Sequence, residues 1–200
     1  MSLYQFAPEI QFGSPSNYGY WENAFTDDEI KEIIRLGEER KIGKSVIGGY
    51  KVEEEYSHIR ESKTSWLELN KDTEWLYKRF SFIIRKLNSM LYKFDMYGFG
   101  EHFQYTVYEG DMNGHYDYHL DLIAGTDDSD RKISCVMQLS DPSEYEGGEL
   151  QILTQHDPTT IKKEKGFIVV FPSYLLHRVT PVTKGIRRSL VIWATGPSFK

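Results

Sequence analysis

Apolar residues recur at helical spacing in two stretches of the first half of the chain. After residue 98 they alternate with polar ones in short runs. The first helical stretch, "FTDDEIKEIIRLGEERKIG", opens with a capping box. The Thr26 hydroxyl can accept from the Glu29 amide, while the Glu29 carboxylate reaches back. Ile30, Ile33, Ile34 and Gly37 follow at helical spacing, and Gly43 is the expected stop. The second stretch runs from residue 73 to about residue 93, with Leu76, Phe80, Ile83, Ile84 and Leu87 as its apolar stripe. Between them "GGYKVEEEYSHIRESKTSWLEL" mixes charge with aromatics and predicts short strands or a mobile loop.

The second half predicts strands at 101–108, 117–122, 132–139, 149–154, 167–171, 176–179 and 186–194. Turn signals such as "EGDMNG", "SDPSEYEGG" and "TPVTKG" separate them. Short strands at this spacing indicate a sandwich or barrel. The expected fold is mainly β with flanking helices, in one domain. Residues 1–98 form the helical support and a possible substrate loop, and residues 99–196 form the β core.

Composition narrows this little. The chain has 200 residues, 40% hydrophobic and 27% charged, as ordinary globular proteins do. A formal net charge of -6, with no basic run longer than two, argues against a broad nucleic-acid surface. Cys135 is the one cysteine, which excludes an intramolecular disulfide and fits a reducing compartment. "MSLYQFAPEIQFGSP" carries no readable signal peptide, and no run is long enough to span a bilayer. The expected location is the cytoplasm, and the host cytoplasm if the chain is phage-encoded.

The chemistry concentrates in "GHYDYHLD", residues 114–121. His115, Asp117, His119 and Asp121 share one strand parity, and neighbours two apart lie roughly 6.5 to 7 Å apart along a strand. One ion can therefore take only one adjacent pair. His115 follows a turn, whereas His119 and Asp121 lie deeper in the apolar "YHLDLI", which favours the last pair. His115 and Asp117 read as a loop-exit pair or as supports for the ligands. His177, in "YLLHRVTPV", is the best third ligand. Two imidazoles and a carboxylate on one face form the triad of non-haem Fe(II) oxygenases, although zinc accepts the same ligands. In "GIRRSLVIW", alternation puts Arg187, Ser189, Val191 and Trp193 on one face and Arg188 on the other. A guanidinium beside a hydroxyl suits a carboxylate.

The ordered set of "HLD", "EGGEL", "FPSYLLHRVTPVTKGIRRS" and R-x-S resembles the Fe(II)/2-oxoglutarate-dependent dioxygenases. More narrowly, it is similar to their prolyl 4-hydroxylase-like branch in bacteria and phages. The resemblance covers roughly residues 100 to 196. It implies a double-stranded β-helix, a jelly-roll or cupin-like barrel, with Fe(II) on His119, Asp121 and His177. It implies 2-oxoglutarate with its far carboxylate on Arg187, assisted by Ser189, and Tyr108 touching the same cosubstrate; Gln138 occupies a similar inward position. O2 is the second cosubstrate and ascorbate the expected reductant. The implied activity is hydroxylation of peptidyl proline in a peptide or protein substrate, with 2-oxoglutarate oxidised to succinate and CO2. Hydroxylation of another side chain, a free amino acid or a small metabolite is the alternative within enzymes. A non-catalytic jelly-roll binding module is the alternative outside them. Arg187 departs from collagen-type relatives, which carry Lys there.

Bland readings apply elsewhere. His58, His102 and His156 read as surface residues, Cys135 as a small core residue, and Gly147 and Gly148 as a turn. Trp66 is expected to pack against the helices; the other reading lines a peptide groove with Tyr56, Arg60 and Trp66.

Overall fold

The computed structural model describes residues 17–47, 50–51, 58–122, 129–154 and 156–199. Tyr56 and the N-terminal stretch tested for a signal peptide lie outside the described residues.

Two helices form where the apolar periodicity demands them. Helix α1 spans Asp27–Glu38 with the expected capping box: the Glu29 amide donates to Thr26 Oγ1 at 3.3 Å, and the Thr26 amide donates to Glu29 Oε2 at 2.9 Å. The helix ends at Glu38, before the expected stop, and Gly43 instead pairs with Thr64 at the edge of a sheet. Gly37 is a contact glycine. A Cβ there would lie 2.4 Å from the Tyr105 ring, so only glycine lets α1 come this close. Helix α2 spans Glu74–Leu91 and buries the whole stripe from Leu76 to Leu87.

The strands build two antiparallel sheets. The principal strands are β1 (Gly19–Trp21), β2 (Lys63–Leu67), β3 (Phe103–Glu109), β4 (His115–His119), β5 (Ser129–Gln138), β6 (Leu150–Leu153), β7 (Ile168–Pro172), β8 (His177–Val179) and β9 (Val182–Pro197). The larger sheet runs β1-β7-β5-β9-β3-β2, with Gly43–Lys44 on its far edge. The smaller runs from Pro158–Thr160 through β6, β8 and β4 to Arg60–Glu61. Successive strands from β3 onward thus alternate largely between two facing sheets, which is the winding of a double-stranded β-helix.

Side-chain alternation gives this barrel two cores. One face of the larger sheet, including Cys135, Met137, Leu190, Ile192 and Tyr105, packs on α1 and α2. The other face, including Val136, Val169, Phe171 and Tyr108, meets Leu150, Ile152 and Val179 of the smaller sheet. Arg188 follows the outer parity, and its Nε donates to Glu38 on α1 at 3.0 Å.

The half before residue 98 carries short strands between its helices, as one of the two expectations had it, and one unexpected strand before α1. β1 pairs with β7, and β2 pairs with β3, so this half extends the larger sheet at both edges. A three-residue strand is too short to show alternation. β4 also begins and ends earlier than expected: it starts at His115 and stops at His119.

Candidate active site

The three expected metal ligands converge at the end of β4. His119 and His177 are direct cross-strand partners between β4 and β8. Asp121 lies past the strand end, where its amide donates to the Ser173 carbonyl at 3.1 Å. One ligand atom from each of His119, Asp121 and His177 lies within 4.8 Å of the other two. His177 Nε2 is 3.4 Å from Asp121 Oδ2, and His119 Nε2 is 3.7 Å from Oδ1.

Hydrogen bonds settle which nitrogen faces inward. His119 Nδ1 lies 2.8 Å from the Asp117 carbonyl, and His177 Nδ1 lies 2.9 Å from the Leu175 carbonyl. A carbonyl only accepts, so each Nδ1 carries the proton and donates it. In the neutral rings this leaves the Nε2 lone pairs aimed at the common centre. Burial, followed by the His177 ring, pushes His119 down to about 3, so it stays neutral at physiological pH. Burial would raise the Asp121 carboxyl, but His177 foremost, and then His119, hold it below the usual carboxylate range. For His177, burial opposes charge, yet Asp121 holds it above its ordinary value. An ionised carboxylate beside two imidazoles suits a divalent cation.

The upstream pair does not join them. His115 Nδ1 contacts the Asn113 carbonyl at 2.9 Å and Nε2 the His58 carbonyl at 3.1 Å. The Asp117 carboxylate accepts from the Tyr118 amide at 2.7 Å. Asp117 does serve His119, but through its backbone carbonyl.

Arg187 sits beside this centre, 1% exposed. It lies directly across from Tyr108, with its guanidinium carbon 5.2 Å from that ring's centroid. Its Nη2 donates to Gln138 Oε1 at 2.9 Å. Its buried Nε and Nη1 have no hydrogen-bond partner among the described residues. Such orphaned charged donors are costly unless a ligand satisfies them. Gly148 proves to be more than a turn residue. Gly148 has φ +63°, and a Cβ there would come within 2.9 Å of Arg187 Cδ. Its missing side chain makes room for the guanidinium's stem.

A cavity of about 540 Å³ joins the two features, lined by His119, Asp121, His177, Tyr108, Arg187 and Ser189 among others. Between the metal ligands and the clamp its floor is apolar, with Val136 and Val191 opposite each other on β5 and β9. A buried guanidinium at one end, an apolar middle and a cluster that could hold a metal at the other would suit 2-oxoglutarate.

The cavity mouth holds residues that sequence reasoning missed or misplaced. Trp66 does not pack against the helices. Opposite Gln104, it faces the cavity and is 38% exposed. Its β2 neighbours Ser65 and Leu67 take the buried side instead, a parity that five residues flanked by charge do not reveal. Arg60 lies over Tyr116 at 4.5 Å, and Tyr116 stacks on His119 at 3.5 Å. Arg131 lies over Trp193 at 3.8 Å and makes a two-pronged ion pair with Glu101. His58, His102 and His156 take no part in the metal cluster.

Residues 103–195, a little under half of the chain, match the model of the 2OG-Fe(II) oxygenase superfamily. That superfamily implies Fe(II), 2-oxoglutarate and O2, and the donor set described above fits them. Over 61 residues the chain is 48% identical to a PKHD-type hydroxylase of Xylella fastidiosa (strain M12), covering 30% of this chain and 26% of that protein. The curated relatives it matches are thus covered over well under half their length, 41% in the case of the Cupriavidus metallidurans PKHD-type hydroxylase. In fold, the chain is similar to a Pseudomonas putida prolyl-4-hydroxylase, with a TM-score of 0.71 at 17% identity over 91% of this chain and 94% of that one. It is also similar to a Trichoplax adhaerens prolyl hydroxylase solved with a hypoxia inducible factor peptide fragment. The TM-score there is 0.73 at 16% identity, over 89% of this chain and 83% of that one.

Proposed function

We propose that the chain is an Fe(II)- and 2-oxoglutarate-dependent dioxygenase that hydroxylates peptidyl proline. The observation that carries the oxygenase reading is the pairing of the His119, Asp121 and His177 cluster with a buried Arg187 that has two unpartnered N–H groups.

In this reading His119 Nε2, His177 Nε2 and one Asp121 oxygen hold iron and leave the remaining positions open. The bound metal supplies O2 activation coupled to oxidative decarboxylation of 2-oxoglutarate to succinate and CO2, with the second oxygen atom going to a substrate C–H bond. Arg187 pairs with the far carboxylate through an N–H group that the protein leaves unpartnered, while Gln138 holds Nη2 in place. Ser189 and Tyr108 line the same end and assist this grip. The Val136 and Val191 surfaces exclude water from the cosubstrate's methylenes, which strengthens the charged contacts at both ends.

The proline assignment rests on the prolyl hydroxylase fold and on the mouth. Trp66, Tyr116 and Trp193 offer apolar ring faces around the cavity. A pyrrolidine ring packs well on such faces and carries no charge to desolvate. The Trichoplax neighbour's peptide complex supports a peptide or protein as the substrate. Incubation with Fe(II), 2-oxoglutarate, ascorbate and a panel of proline-containing peptides tests both levels. The expected result is succinate release together with a peptide mass gain of one oxygen atom on proline. Succinate without peptide oxidation overturns the proline assignment, and no succinate under any condition overturns the oxygenase reading.

A further inference from the structure

Asp121 needs a support that its own strand does not give. It lies beyond the end of β4, and its amide and that of Leu122 both donate to the Ser173 carbonyl, at 3.1 and 3.0 Å. That fixes the backbone but leaves the carboxylate free to turn. The larger sheet supplies the stop. Ser134 on β5 is the cross-strand partner of Phe171 on one side and of Trp193 on the other. These three side chains form one row on the inward face, below the metal ligands. Phe171 meets the His177 ring edge-on at 4.8 Å. Ser134 Oγ donates to Asp121 Oδ2 at 2.7 Å and lies 3.0 Å from Ser173 Oγ. Both serines are 0% exposed, so water does not compete for these bonds. Ser173 is therefore tied to Asp121 twice, by its carbonyl to the backbone and through Ser134 to the carboxylate.

We propose that Ser134, braced by Ser173, is a positioning residue for the metal: it ties Oδ2 of Asp121 to the sheet and leaves Oδ1 to coordinate. This rests on the reading above that the cluster holds Fe(II). A three-ligand face must keep its other positions open for the cosubstrate and O2. A carboxylate free to rotate can offer both oxygens and close one of those positions. Supports of this kind change metal affinity by about 10- to 100-fold when removed.

The test uses Co(II) alone, read by titration and by its visible ligand-field spectrum, so that turnover is not needed. Ser134→Ala should weaken Co(II) binding by about tenfold or more and alter the spectrum. Ser134→Thr, which keeps the hydroxyl, should restore both. Ser65→Ala is the control: its buried hydroxyl donates to the Gly37 carbonyl at 2.7 Å, remote from the cluster, and Co(II) affinity should not change. Should Ser134→Ala fail to fold, Ser173→Ala, which leaves the direct bond to Asp121 intact, should still weaken Co(II) binding severalfold. Wild-type affinity and spectrum in a folded Ser134→Ala, or unchanged affinity in Ser173→Ala, overturn the proposal. A wild-type chain that takes up no Co(II) would instead overturn the metal reading itself.

Discussion

Replacing Arg187 with Met removes a buried charge and leaves a chain of similar length in its place. The structure sets the size of the effect. Arg187 holds two N–H groups, Nε and Nη1, that find no partner among the described residues. Hydrogen bonds to charged groups contribute about 1.5–3 kcal/mol each. Losing one or two such bonds to the cosubstrate should cost about 1.5–6 kcal/mol of binding, or roughly 10- to 10⁴-fold in 2-oxoglutarate affinity. Stability of the unliganded protein should move far less. The variant sheds an incompletely paired buried charge, which favours it, but leaves Gln138 Oε1 without the Arg187 donor, which costs about 1–3 kcal/mol. Calorimetric titration with 2-oxoglutarate in the presence of Mn(II) reads the affinity, and thermal melting of the metal-free protein reads the stability. Arg188→Ala is the matched control, since that side chain faces Glu38 on the helical side of the sheet. Unchanged affinity in Arg187→Met, or a larger loss in Arg188→Ala, would refute the assignment of the clamp.

Other perturbations follow from the same geometry. Gly148→Ala should lower 2-oxoglutarate affinity, because the new methyl presses on Arg187 Cδ and Val182, and its left-handed backbone should by itself destabilise the fold by about 1–2 kcal/mol; unchanged cosubstrate titration and melting would contradict this. His119→Ala should abolish stoichiometric metal retention, while His115→Ala, whose ring contacts two backbone carbonyls, should keep it; equal losses in metal analysis would move the site upstream. Phe80→Ala, fully buried against Phe103 and Phe25, should cost about 3–5 kcal/mol in urea unfolding, and a loss below about 1 kcal/mol would mean that α2 is not packed as described. Burial pushes the Cys135 thiol far up, so a disulfide reagent should label it only in denaturant, and rapid labelling of the native protein would contradict its place in the core.

The convergence of His119, Asp121 and His177 was legible in the chain because these residue types carry chemistry at fixed spacing. Parity on β9 separated Arg187 from Arg188, and the hydrogen bonds to Gln138 and Glu38 agree. The supports were not legible, because they come from register between strands distant in sequence. Ser134 is an ordinary alternating residue until β5 pairs with both β7 and β9. Gly148 reads as a turn until the Arg187 stem is seen passing over it. The same holds for Trp66, whose direction depends on its pairing with Gln104. The helices were placed by periodicity to within a few residues. The short strand Gly19–Trp21 left no periodic trace, because it owes its existence to the edge of β7.

The most direct measurement is anaerobic absorption spectroscopy with Fe(II) and 2-oxoglutarate. A 2-oxo acid that chelates protein-bound Fe(II) through its keto and carboxylate oxygens gives a visible charge-transfer band. The band should appear on adding both components to the wild-type protein, vanish in His177→Ala, and require far more 2-oxoglutarate in Arg187→Met. A wild-type protein that binds Fe(II) but develops no band, or a band of equal strength after loss of His177, would contradict the account.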